Sequence, residues 1–311
     1  MALHRVSPVR RRLAQLQERD RRKIEIIGER VSGRIAPEIN ARILTSFAAG
    51  QDPIPVMHEQ LVKQFMPLVQ KAMVAAHLTG GLRSARSAAP TLRKRRTMSA
   101  YDDALAYLEK RLALSPEQMQ HLMEVYGNES VNVTRNLGAA VEAKVQTAME
   151  EILRSGAHVQ EAVAMLRAEL GPDQGLMSAS LMNTLVRTQT QMAYSAGRWN
   201  ANQDAAIQEI LWGKEYVTVG DDRVRPTHQA MDGVRMPKND PRWDEWTPPA
   251  GFNCRCSTID VFNEDKEASI VDIPASFTAD NGEVITDIRP DPDWRFNPGK
   301  VFSDLIGAAT P

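Results

Sequence analysis

A chain of 311 residues with 42% hydrophobic and 25% charged residues has apolar material for about two ordinary domains, and 5% aromatics make its cores mainly aliphatic. Its two cysteines, Cys254 and Cys256, do not make a secreted disulfide framework, and a bridge across one intervening residue is strained. No run of about 18 apolar residues suits a membrane span, and no apolar stretch follows the basic start at Arg5, Arg10, Arg11 and Arg12 as a secretory signal requires, so the expectation is a protein made and kept in a cytoplasm.

The net charge of -1 conceals two halves of opposite sign. Residues 1–35 carry ten Lys/Arg against four acids, and residues 82–98 carry Arg83, Arg86, Arg93, Lys94, Arg95 and Arg96 with no acid. Residues 204–311 hold twenty acids and eleven bases. A basic front and an acidic back predict surfaces that meet different partners.

In chain order, Leu13, Leu16, Ile24, Ile27 and Val31 recur at helical steps and predict a helix over Arg10–Ile35. Val62, Phe65, Met66, Val69 and Met73 predict a second over Met57–His77. Residues 78–98 turn to Gly, Ser, Ala, Pro and Arg and read as an exposed basic loop. Helical patterning resumes at Tyr101. Ser115 followed by Pro116 predicts a capped helix start, Gly138–Arg154 and Val159–Leu170 continue as helices, the last ended by Gly171-Pro172, and a longer helix runs from about Met177 to Ile210. Its methionines and Leu185 read as core filling, and Arg187, Gln189, Gln191, Arg198 and Asn202 as a polar face turned to solvent or to the following module. Leu211–Val219 and Ser257–Val261 have the texture of strands, and the Pro- and Gly-bearing tail from Ala279 reads as extended. The predicted class is α+β: a mostly helical N-terminal region followed by a small loop-rich C-terminal α+β module. The predicted divisions are a helical region at 1–80, a basic linker at 81–99, a helical region at 100–175, the module at 176–300 and a tail at 301–311.

The informative stretch is Arg223 to Cys256. Within it stand His228, Asp232, Gly233, Pro248-Pro249 and Asn253-Cys254-Arg255-Cys256. Thiolates and an imidazole suit zinc, so His228, Cys254 and Cys256 are candidate ligands, with Asp232 as a fourth. The plainer reading, which is favoured, makes His228 and Asp232 a hydrogen-bonded pair that pins a loop, with Arg225 or Arg255 bridging Asp232 and the cysteines as small buried side chains. A third reading uses His228 as base and Cys254 as nucleophile, although no oxyanion hole or second carboxylate cluster marks an active site.

The order Arg223, His228, Gly233, Pro248, Pro249, Asn253, Cys254, Arg255, Cys256 resembles the phage Mu F-like minor head protein family, or phage head morphogenesis domain. Arg187-Thr188-Gln189 with the helix through Gly197, and the late Trp294 to Asn297-Pro298-Gly299, resemble further family elements, so the resemblance covers about residues 135–300. Two positions depart from the pattern: Gly251-Phe252 where the family has His-Pro, and Gln189 where it has Glu, and the missing His takes away one metal ligand or base. The resemblance implies a non-enzymatic structural protein of a tailed-phage head, assembled in the host cytoplasm. It would act with the portal protein at the vertex and procapsid interior, alongside major capsid or scaffolding protein, in head assembly or DNA delivery. The alternatives kept open are a metal-dependent or His/Cys enzyme and a sequence-independent DNA-binding module. For the latter, Arg83, Arg86, Arg93, Lys94, Arg95 and Arg96 are candidate contacts to packaged double-stranded DNA or to a partner. The helix from Arg10 is read as a portal-docking or solvated surface.

Overall fold

The computed structural model describes residues 6–155, 158–170, 178–265 and 268–306. Gly171-Pro172, Met177 and the end of the tail lie outside them. The architecture is α+β, as expected. Long helices fill the N-terminal two thirds: α1 Pro8–Ala48, α2 Pro53–Gln60, a π-helical turn at Leu61–Phe65, α3 Met66–Arg95, α4 Tyr101–Leu112, α5 Pro116–Ser155, α6 Val159–Leu170 and α7 Ala179–Asn202. The C-terminal module comprises α8 Ala205–Ile210, β1 Leu211–Val217, α9 Pro226–Ala230, β2 Arg235–Pro237, α10 Trp243–Trp246, β3 Ser257–Phe262, β4 Phe277–Thr278, β5 Val284–Ile285 and α11 Pro298–Ile306.

The chain divides into two compact units, one of Met1–Lys23, Ala75–Leu122 and Thr190–Pro311, the other of Ile24–Val74 and Met123–Gln189. Helices α1, α3, α5 and α7 each contribute to both, so the units follow spatial packing and not the sequential divisions at 1–80, 100–175 and 176–300. In the second unit, Arg187 pairs with Glu29 and Glu25, and His58 Nε2 lies 2.9 Å from Glu142.

The expected basic linker at 81–99 is helix through Arg95. Its composition misleads because the helix packs through small residues. Ala85, Ala88, Ala89 and Leu92 follow helical spacing and bury against Ala104 and Leu108 of α4, Ala206, Ile207 and Ile210 of α8, and Leu211 and Phe262. Pro90 interrupts only a backbone bond on the exposed side. Two glycines permit the close approach of α3 and α7. A Cβ on Gly80 would stand 2.2 Å from the Tyr194 carbonyl oxygen, and one on Gly197 would stand 1.9 Å from that of His77.

Helix α5 begins as predicted. Ser115 Oγ accepts from the Gln118 N–H at 3.2 Å, and the Gln118 side chain accepts from the Ser115 N–H at 2.8 Å, a reciprocal cap. The helix expected from Met177 to Ile210 breaks after Asn202 because the Asp204 carboxylate accepts from the Ala206 N–H at 2.9 Å and starts α8. The tail expected to be extended from Ala279 carries β5, which pairs with β4 just before it, and the helix α11. Asn297 caps α11, its Oδ1 accepting from the Gly299 N–H at 2.9 Å while its Nδ2 donates to the Trp243 carbonyl at 3.3 Å.

Strands β2, β1 and β3 form one antiparallel sheet in that order, with Glu215 opposite Arg235 and Ile259, and Lys214 opposite Asp260. Every residue of β1 but Trp212, and every residue of β3, is buried, so the sheet is covered on both faces. Val217 and Ile259 pack with Val6, just before α1, and with Leu13 and Ala14 near its start. Tyr216 packs with Met231, Val234, Met236, Trp243, Trp246, Ala250, Cys254 and Cys256.

Candidate functional site

His228, Cys254 and Cys256 converge in this last cluster. Pro226 opens α9 at its first position, where a missing N–H costs nothing, and His228 follows in the only full turn. The cysteines lie just before β3. Asn253 adopts φ 55°, a left-handed conformation that asparagine tolerates, and so turns the chain to deliver Cys254 and Cys256 into the interior. His228 Nδ1 lies 3.5 Å from Cys256 Sγ and 3.8 Å from Cys254 Sγ, and the three side chains are 2–3% exposed. Trp246 presents its ring edgewise to His228 at 6.3 Å and to Tyr216 at 5.9 Å. Hydrogen bonds from Cys256 and His228 hold the Cys254 thiol well below its usual range, while burial pushes Cys256 and Tyr216 up.

Asp232 is not part of this cluster, and it neither ligates nor pairs with His228. Its carboxylate accepts from Arg11 at 2.7 and 3.3 Å, from the Thr218 N–H at 2.7 Å and from the Thr218 hydroxyl at 3.0 Å. Nor does either expected arginine bridge it. Arg255 grips Asp221 with both terminal nitrogens and holds that carboxyl down to about 2, whereas Arg225 pairs with Asp291 at 3.3 Å. Arg223 is exposed and, among the described residues, its side chain reaches Asp221 at 3.4 Å. Gly233 turns the chain from α9 towards β2 at φ 87°, where its N–H donates to the Tyr216 carbonyl at 2.9 Å. Gly251 stands where a Cβ would come within 2.1 Å of the Asp291 carboxylate, and Phe252 is half exposed against Trp294. The position of the family's missing His is therefore packed by other means.

Sequence reasoning missed the α1 residues that brace this module from far away, whereas the polar face of α7 was read as turned to solvent or to this module. Arg10 reaches Glu215 at 3.1 Å, which also pairs with Arg235 at 3.0 Å. Gln17 donates to the Thr258 carbonyl at 3.1 Å and accepts from the Ser257 hydroxyl, and Arg21 donates to the Arg255 carbonyl at 3.3 Å. From α7, Gln191 donates to the Cys256 carbonyl at 3.0 Å, while Arg198 and Asn202 donate to Asp260 at 2.7 and 2.8 Å. A signal was present: Arg10, Ala14, Gln17, Arg21 and Glu25 follow helical spacing and are all buried. The apolar set Leu13, Leu16, Ile24, Ile27 and Val31 lies beside that face, with Ile27 61% exposed.

The six candidate DNA contacts do not form one free strip. Arg83 pairs with Asp20, and Arg95 and Arg96 pair with Glu209 at 3.0 and 3.6 Å. Arg86, Arg93 and Lys94 are exposed. No helix of the described residues is long and apolar enough to cross a membrane.

Residues 143–259 match the family described as Phage Mu protein F like protein. This stretch is a Mu F-like domain. The chain is 28% identical over 152 residues to the "Putative capsid assembly protein F" of Escherichia phage Mu, covering 40% of this chain and 34% of that protein. It is 33% identical over 88 residues to the Mu-like prophage FluMu F protein of Haemophilus influenzae, covering 28% of this chain and 21% of that one. The chain thus spans about a third or less of the length of these relatives. No solved structure matches it. The Mu F-like domain holds His228, Cys254 and Cys256, whereas Arg10, Arg11, Gln17, Arg21, Asp260 and Asn297 lie beyond its matched limits.

Proposed function

We propose that the chain is a minor head protein of a tailed bacteriophage that works by binding, not by catalysis. The observation that carries this reading is the Mu F-like domain at 143–259, together with relatives named for capsid assembly. The portal protein is the expected partner, at the vertex and procapsid interior, with major capsid or scaffolding protein as further neighbours. The protein would assemble in the host cytoplasm and reside in the virion head, aiding head assembly or DNA delivery.

The geometry supports binding over catalysis. His228 is 2% exposed, and the acid nearest in sequence is spent on Arg11 and Thr218. The other motif residues serve as joints: Asn253 makes a turn, Arg255 grips Asp221 and Asn297 caps a helix. A DNA-binding reading retains Arg86, Arg93 and Lys94. Three cations give only a modest salt dependence, with a log–log slope of about -3.

The test is deletion of the gene from the phage or prophage that carries it, with co-expression of the chain and that phage's portal protein. The expected result is co-purification with portal oligomers and a drop in DNA-filled heads. Normal heads and normal titre after deletion would overturn the proposal. Duplex DNA binding by the purified chain, abolished by Arg86→Ala/Arg93→Ala/Lys94→Ala with portal capture absent, would replace it with the DNA reading.

A further inference from the structure

We infer that His228 Nδ1, Cys254 Sγ and Cys256 Sγ are the ligands of a structural zinc ion that staples α9 to the turn before β3. The argument starts from spacing. Zinc bonds of about 2.3 Å to sulfur and about 2.05 Å to nitrogen, at tetrahedral angles, separate a nitrogen from a sulfur by about 3.6 Å. The observed separations are 3.5 and 3.8 Å, and all three donor atoms lie within 4.8 Å of one another.

Hydrogen bonding alone accounts poorly for the arrangement. The ring nitrogen of a neutral imidazole has one lone pair, yet two thiols converge on it. The second ring nitrogen, Nε2, is buried with no partner among the described residues. The Tyr216 hydroxyl is buried beside the two sulfurs, also without a well-formed hydrogen bond. Buried polar atoms left this way are costly, and two of them around one point are uncommon. An ion uses both sulfurs and Nδ1 at once and gives the Tyr216 oxygen a charge to face.

The donor chemistry selects the ion. No carboxylate belongs to the group, which disfavours calcium and magnesium. Two thiolates and an imidazole suit zinc. The three protein ligands leave one tetrahedral position to a water, and their 2–3% exposure keeps the ion away from any substrate, which favours a structural over a catalytic role. A staple has a purpose here. Between β2 and β3 the described chain is largely turns and one four-residue helix, so few backbone ladders hold Trp243 and Trp246 in place.

The test uses the full chain, produced with zinc supplied. Elemental analysis is expected to give about one zinc per chain, and none in Cys254→Ser/Cys256→Ser. Cobalt substitution is expected to give tetrahedral d–d absorption with a thiolate charge-transfer band, both lost in the double variant. His228→Ala should weaken zinc binding at least tenfold. Because the double variant can fail to fold, wild-type protein is also stripped with chelator and titrated with zinc. Its melting temperature should rise by roughly 5–10 °C at a hundredfold excess over Kd. A folded wild-type chain that takes up no zinc on reconstitution, melts at an unchanged temperature and leaves both thiols equally reactive with and without zinc would overturn the inference. Metal content is read without any portal or head assay, so the two proposals fail independently.

Discussion

Replacing Asp260 by Ala should be among the most damaging single changes in the C-terminal module. Its side chain is 1% exposed and that of its partner Arg198 is 5% exposed. Besides Asp260, Arg198 donates to the Thr258 carbonyl, and Asn202 donates to the other Asp260 oxygen at 2.8 Å. Removing the acid leaves a buried guanidinium with one backbone acceptor and a long 3.5 Å bond to the Ser84 hydroxyl, and strands an amide donor. Breaking a buried pair in this way costs about 3–5 kcal/mol. For a folding unit of this size, each kcal/mol lowers the melting temperature by about 2–4 °C, so the expected loss is roughly 6–20 °C. Thermal and urea unfolding followed by circular dichroism measure it. The double variant Arg198→Met/Asp260→Leu removes both charges and keeps most of the volume. It should recover most of the loss, because an apolar replacement of a buried pair is often close to neutral. An Asp260→Ala protein within about 1 kcal/mol of wild type, or a double variant no better than the single, would refute the assignment of this pair as the clamp between α7 and β3.

Lys214 is buried, lies 4.3 Å from the centre of the Trp199 ring, and is pushed by burial down to about 8. Between pH 8 and 10.5 its native form is neutral while the unfolded form still holds a proton, so stability should rise with pH across that window. Lys214→Met should remove this rise and stabilise the protein near pH 7 by about 3 kcal/mol at most. Urea midpoints measured at pH 7 and 10 check both, and an unchanged pH slope would sink the idea. Gly197→Ala sets a methyl group 1.9 Å from the His77 carbonyl oxygen, so α3 and α7 must separate. A loss of about 1–3 kcal/mol or more in thermal unfolding is expected. A neutral Gly197→Ala would mean that the helices do not cross there.

Much of the C-terminal module was legible because its signals are local. The branched and aromatic run within Leu211–Val219 acts within a few positions of itself, and so does the Ser115 cap that starts α5. The convergence of His228 with the cysteines could be suspected from residue type alone. Asp232 was misread because its partner is Arg11, 221 residues away. Helix α1 was found, but it was read as a portal-docking or solvated surface, not as a brace of the module. Apolar periodicity is the usual guide to burial, and here the buried line through Arg10, Gln17, Arg21 and Glu25 is polar and charged. Residues 81–95 were missed for a related reason. Alanine and serine form a close-packing helix surface as readily as they form a linker, and only the spacing of Ala85, Ala88, Ala89 and Leu92 separates the two.

The bracing of the sheet by α1 bears on how this protein can be dissected. A fragment trimmed to the Mu F-like stretch would end inside β3, one residue short of Asp260, and would leave Arg198 without its acid. It would also lack Arg10, Arg11 and Gln17, so Asp232 would lose its cation and Glu215 one of two. What is shared with relatives is therefore narrower than what can stand alone. The first helical turns and the last strand residues belong to the smallest autonomous piece, and an expression fragment should keep them joined to it.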